Sequence, residues 1–140
     1  QCPDFLSMLV SLRKASNEEA YLSQVGDLTL QLRDWTKDAI FMKFDMRVQP
    51  GHEKHYAEAW TKYVQSNASL NSGSAGLVSM LAGTGYSTHM AFVGASSMPE
   101  LVGSLQEIQS GESHKEFTSI VEEIRDIRNQ MFVQPLKGYQ

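Results

Sequence analysis

Three charged side chains, Lys43, Asp45 and Arg47, recur at every second position of the segment Ile40 to Val48. Side chains alternate across a strand, so these three share one face with Phe41, while Ile40, Met42, Phe44, Met46 and Val48 share the other. Charges on a sheet face must pair or stay solvated, because an unpaired buried charge costs several kcal/mol. The face therefore reads either as a polar ligand site, with Asp45 and Arg47 orienting a bound molecule, or as an ion-pair ladder. A second candidate is His89, set mid-strand beside small residues. An imidazole there fits a general base, an axial haem ligand or a core histidine bonded to a backbone carbonyl. Tyr56, Trp60 and Tyr63 form an aromatic stripe at helical spacing, suited to walling a flat apolar ligand and equally to ordinary core. Tyr86, in a glycine-rich hairpin, and Phe92, on the following strand, complete the candidate ligand-binding set with Tyr56 and Trp60.

Other patterns carry less. His52 and His55 are three apart at a helix start, a spacing two metal ligands can use, but no matching Cys or carboxylate joins them beyond the adjacent Glu53, so no metal site is expected. Gly83-Thr84-Gly85 lacks the Lys and following helix of a phosphate loop, and no Gly-x-Ser-x-Gly elbow is present.

The elements that position these residues follow from period and punctuation. The strand over 40–48 stops at Pro50-Gly51. A helix from His52 to Asn67 follows, with Glu58 and Lys62 as a surface i,i+4 pair. A Ser-, Asn- and Gly-rich loop leads to strands over Gly76 to Ala82 and Ser87 to Ala95. In the second of these, Met90 and Phe92 share one face and His89, Ala91 and Val93 the other. Pro99 opens a helix capped by Ser97 or Met98. After a break at Ser110 to Ser113, a capping box of Ser113 and Glu116 starts a helix carrying Phe117, Ile120, Val121, Ile124 and Ile127. A short strand over Gln130 to Gln134 closes the chain. This βαββααβ order is the split β-α-β pattern of an α+β, ferredoxin-like domain with an antiparallel sheet, assigned to residues 39–140.

Residues 1–38 carry a helical pattern and align without gaps to the region after Met98: Pro3 with Pro99, Leu9 with Leu105, Tyr21 with Phe117, Val25 with Val121, Leu28 with Ile124. Two readings stand: the tail of a first tandem copy, or two amphipathic helix pairs with a shared pattern.

The 140 residues suffice for one domain with a hydrophobic core. Net charge is −4 and the 12 Lys and Arg are scattered, which argues against nucleic acid. No apolar run approaches the ~20 residues that span a bilayer. The single Cys2 cannot form an internal disulfide and favours a reducing, cytoplasmic setting. The opening Gln1 leaves a processed chain and a fragment both open.

The stretch Phe44 to Val64, FDMRVQPGHEKHYAEAWTKYV, resembles the opening strand and helix of dimeric α+β barrel proteins, and YSTHMAFVGASSMPEL resembles their third strand and next helix. The resemblance runs from about Ala39 to Leu136 and is closest to the antibiotic-biosynthesis-monooxygenase-like branch. It implies a ferredoxin-like fold, two sheets meeting across a dimer, and a pocket between the sheet and helices of each half. It also implies a menu of activities: cofactor-free oxygenation of polyphenols, haem binding or degradation, lactone isomerisation and polyketide cyclisation. The expectation is a cofactor-independent oxygenase, isomerase or cyclase acting on an aromatic or polyketide-like molecule. In that reading His89 is the base, Asp45 or Arg47 orients the substrate, and the unit is a homodimer or an intrachain pseudo-dimer. The competing expectation is a non-catalytic domain binding a small apolar ligand or haem.

Overall fold

The computed structural model describes residues 25–82 and 87–135. Five strands, β1 (Val25–Leu32), β2 (Ile40–Val48), β3 (Ala75–Ala82), β4 (His89–Ala95) and β5 (Arg125–Val133), form one sheet in the order β1-β3-β4-β2-β5. Every neighbouring pair is antiparallel. Helix α1 (Glu53–Ser66) joins β2 to β3; α2 (Met98–Ser110) and α3 (Glu112–Val121) join β4 to β5. From β2 onward this is the expected βαββααβ order, and β4 and β2 sit in the middle of the sheet because each crossover skips one strand position.

The alternation over 40–48 sets the layers. His89, Ala91 and Val93 stand opposite Met46, Phe44 and Met42 on β2, and opposite Ser79, Leu77 and Ala75 on β3. Directly opposed residues share a face, and this face meets the helices: Met46, Val48, Leu77, Ala75 and Ala91 pack with Tyr56, Trp60, Phe117 and Val121. On the other face, Phe92 stands opposite Lys43 and Gly76, and Met90 opposite Asp45 and Val78. The β2–α1 junction is a turn in which Pro50 presets the bend, Gly51 takes φ 87°, and His52 N donates to Gln49 O at 3.0 Å.

Several local expectations are corrected. Residues 25–32 were expected in a helical segment; they form β1, paired with β3, and Trp35–Lys37 make a single 3-10 turn after it. Leu30 and Leu32, at period two, stand opposite Leu77 and Ala75 on the helix-facing side, and a register shift sets Leu28 opposite Val78 instead. Val25 thus lies in a strand where its aligned partner Val121 ends a helix; the helical pattern of residues 1–24 lies outside the described residues. Helix α3 ends at Val121 rather than near Ile127, and β5 begins at Arg125, because Ile127 faces Met46 in the ladder with β2. The capping box does not form. Gly111 is the N-cap, Ser113 Oγ donates to Asn67 Oδ1 at 3.0 Å, and Glu116 pairs with Lys62 at 2.6 Å. Lys62 is therefore unavailable to Glu58, which lies 3.9 Å from Lys54 instead.

Ser97 caps α2 as expected, accepting from Glu100 N at 3.3 Å. Arg33 ties the sheet to the loop after α1: its guanidinium donates to the carbonyls of Ala68, Asn71 and Gly73 at 2.9, 2.6 and 3.1 Å. Among the described residues no helix is long and apolar enough to cross a membrane.

Candidate functional site in the cavity between sheet and helices

Small residues on the helix-facing side of the sheet leave room. Ala75, Ala91 and Val93 stand side by side across β3 and β4, under the long aromatic side chains of α1 and α3. The result is a cavity of about 510 Å³, within the ~300–1,000 Å³ range of small-molecule sites. Tyr56 and Trp60 line it, as expected of the aromatic stripe, with Tyr63 from the same helix. Tyr63 stacks on Phe117 with centroids 4.3 Å apart and planes 2° from parallel, which fixes the wall between α1 and α3.

The ionisable groups on this wall are few, and amides and a hydroxyl from Asn67, Asn71, Gln109, Thr118 and Gln130 join them. His114 Nδ1 and Tyr63 Oη share a hydrogen bond of 2.8 Å. Burial, and then the nearby charge of Arg125, hold His114 below the ordinary histidine range, so the ring is neutral at pH 7. Burial pushes the Tyr63 hydroxyl up to about 12. Asn67 and Asn71 line the end near the loop, where Asn67 Nδ2 donates to Tyr63 O at 2.8 Å. Arg125 stands over the Phe117 ring at 5.3 Å and the Tyr56 ring at 5.9 Å. Among the described residues no Asp or Glu lines the cavity.

The other candidates sit elsewhere. Asp45 and Arg47 are on the sheet face away from the helices, by the strand parity that puts His89 on the helix-facing side. Strand β2 therefore separates His89 from the two groups expected to orient a substrate beside it, and the geometry does not unite the three. Asp45 is buried, with Lys43 Nζ 3.2 Å from its Oδ1, the ion-pair reading of this face; Arg47 is exposed. His89 is buried outside the cavity lining, with Nδ1 2.9 Å from Thr88 Oγ1 and its ring 6.2 Å from that of Tyr56. Burial lowers its pKa. Phe92 shares the far face with Asp45 and meets Phe41 edge-on at 5.8 Å. Tyr86 lies outside the described residues. His52 and His55 are exposed, and among the described residues no three metal-ligating side chains converge.

His114 and Arg125 were missed by the sequence reading. Each lies in a charged local context, and the α3–β5 turn alone brings them to the same wall as Tyr56 and Tyr63. Among the described residues the wall offers one permanent cation, Arg125, and one imidazole, that of His114, whose Nδ1 bonds Tyr63.

No family model matches the chain, and no curated protein matches it. Solved structures do. A major regulator of staphylococcal pathogenesis superposes with a TM-score of 0.61 at 8% identity, over 87% of this chain and 75% of that one. An anthrone oxidase-like protein gives 0.62 at 10% identity, over 79% of this chain and 54% of that one, so the chain spans about half of that protein's length. A ferredoxin-fold protein related to antibiotic biosynthesis monooxygenases, from Listeria monocytogenes, gives 0.56 at 5% identity, over 88% and 71%. The chain thus has the ferredoxin-like α+β fold.

Proposed function

We propose that this chain binds a small, flat aromatic or polyketide-like molecule between its sheet and helices and oxygenates it without a bound cofactor. The observation that carries the reading is the aromatic-walled cavity of about 510 Å³, with one histidine and one arginine on its lining. Such a reaction takes its electrons from the substrate. An acidic ring CH₂ or phenol loses a proton, the carbanion or phenolate reduces O₂, one oxygen atom enters the product as a carbonyl, and the other leaves as water. The chain's part is to hold the ring, exclude water and accept the proton. His114 suits the last role: it lines the cavity, burial keeps it neutral at pH 7, and Tyr63 fixes its orientation at 2.8 Å. The reading assigns the base to His114 in preference to His89, which does not line the cavity.

The test has two stages. Anaerobic titration with a panel of anthrones and polycyclic phenols, read by tryptophan fluorescence, should show saturable binding that Trp60→Ala weakens. Admitting O₂ should then start oxygen uptake, which His114→Gln abolishes while binding persists. Uptake undiminished in His114→Gln removes the catalytic assignment; binding with no uptake from any compound leaves a ligand-binding domain; no binding at all removes the reading.

A further inference from the structure

One end of the cavity holds donors without an acceptor. Tyr56 is fully buried, at 0% exposure, and its Oη has no partner at hydrogen-bond geometry, Arg125 being near enough to act on it. An orphaned buried hydroxyl costs roughly 1–3 kcal/mol, so its presence on a cavity wall calls for a reason. Beside it stands Arg125, whose guanidinium lies 5.9 Å from the Tyr56 ring centre and 5.3 Å from that of Phe117. Three carboxylates of α3 and β5 are engaged with other cations: Asp126 with Arg128 at 3.2 Å, Glu116 with Lys62 at 2.6 Å, and Glu112 with Lys115 at 3.1 Å. Among the described residues none forms an ion pair with Arg125, and Arg125 is the only permanent charge on a lining that contains no Asp or Glu.

These groups are complementary to one kind of ligand atom. A guanidinium presents several N–H donors in a planar fork that matches an oxyanion, and a phenol adds a single donor from the side. Burial raises Tyr56 above the ordinary phenol range against the opposing influence of Arg125, so it stays a donor at neutral pH. The flat wall made by Tyr63 and Phe117 runs up to the same end, since Phe117 lies under the guanidinium.

We infer that Arg125 and Tyr56 form an oxyanion subsite, and that the ligand of this cavity is a flat aromatic molecule carrying a carboxylate or phenolate at its edge. The inference rests on the cavity being a small-molecule site, and it adds the charge and the anchoring atoms of the ligand.

Isothermal titration calorimetry with 2-naphthoate and its neutral isostere 2-naphthamide separates the two claims. The expected result is binding of both, with the acid tighter by about tenfold or more, the scale of one charge-assisted hydrogen bond. Arg125→Gln should erase that preference while leaving the amide's affinity in place, Arg125→Lys should restore part of it, and Tyr56→Phe should reduce it. Retained amide binding doubles as the check that each variant is folded. A third probe, 4-nitrophenol, distinguishes the source of the oxyanion: Arg125-dependent capture of its coloured, ionised form assigns a phenolate, and a preference confined to naphthoate assigns a carboxylate. Equal affinity for acid and amide, or a preference that survives Arg125→Gln, overturns the subsite and leaves the cavity reading standing. Failure of all three probes to bind overturns both.

Discussion

On the side of the sheet away from the helices, the Phe92 ring lies over Gly76, so close that an added Cβ would sit 2.1 Å from its Cζ, and Phe41 meets the same ring edge-on. On the helix side, Ala75 and Ala91 come from the same two strands, yet the space above them is open enough for a cavity. Strand parity builds both: residues 75, 77, 89, 91 and 93 face the helices, while 76, 78, 90 and 92 face away. The filled face spends its large side chains on packing. The hollow face keeps its large side chains on the helices, where they form walls, and lets the strands supply a small-residue floor. The difference shows how the same pair of strands can give both a packed face and the floor of a cavity.

The comparison breaks most sharply if the wall of the hollow face is removed. Phe117 stacks on Tyr63, touches Tyr56 and lies under Arg125. Phe117→Ala should lower stability by about 3–5 kcal/mol, measured by urea unfolding, since no neighbour can close the gap beside an existing cavity. A loss below about 1 kcal/mol would mean the wall is not held as described.

A paired substitution sharpens the contrast. Gly76→Ala on the filled face drives a methyl into the Phe92 ring and should cost about 1–3 kcal/mol. Ala91→Val on the hollow face adds two methyl groups above an open floor and should cost less than about 1.5 kcal/mol, while cutting affinity for any ring bound there. Equal costs on the two faces would erase the distinction.

The smallest effect is on pH dependence. Burial lowers the pKa of both His89 and His114 in the folded chain, whereas an unfolded histidine titrates near pH 6.5. Below about pH 6.5 the unfolded state binds more protons, so stability should fall as pH drops from there through the folded-state values, and should be unaffected by these two groups above it. Thermal melts across pH 5 to 8 read the slope, and His89→Gln should flatten part of it. An unchanged slope in that variant would show that His89 titrates as freely in the fold as outside it.

Much of this arrangement was legible in the residues. The alternation over 40–48, the Pro50-Gly51 stop, the Tyr56–Trp60–Tyr63 stripe and the shared face of His89, Ala91 and Val93 are local patterns, and the structure follows them. Strand β1 was written in the chain only in part, as Leu30 and Leu32 at period two, because a bulge after Leu28 breaks the alternation and a helical match competed with it. The extent of β5 was hidden because Ile120, Ile124 and Ile127 suit a helix face, and only the ladder with β2 decides between the two. The relation between the faces was not legible at all. Whether Asp45 lies beside His89 or across the sheet from it depends on which residues of β2 and β4 stand opposite each other, and no spacing within either strand carries that information. The same holds for His114 and Arg125, which reach the cavity through the packing of α3 against α1 and the turn into β5.

The central claim is that the ligand sits on the hollow face, between sheet and helices. A crystal structure of the chain grown with 2-naphthoate tests it most directly. The account predicts the naphthalene ring over Ala75 and Ala91, against the Tyr63–Phe117 wall, with its carboxylate on Arg125. A ring bound instead on the far face, beside Phe41, Phe92 and Lys43, would contradict it.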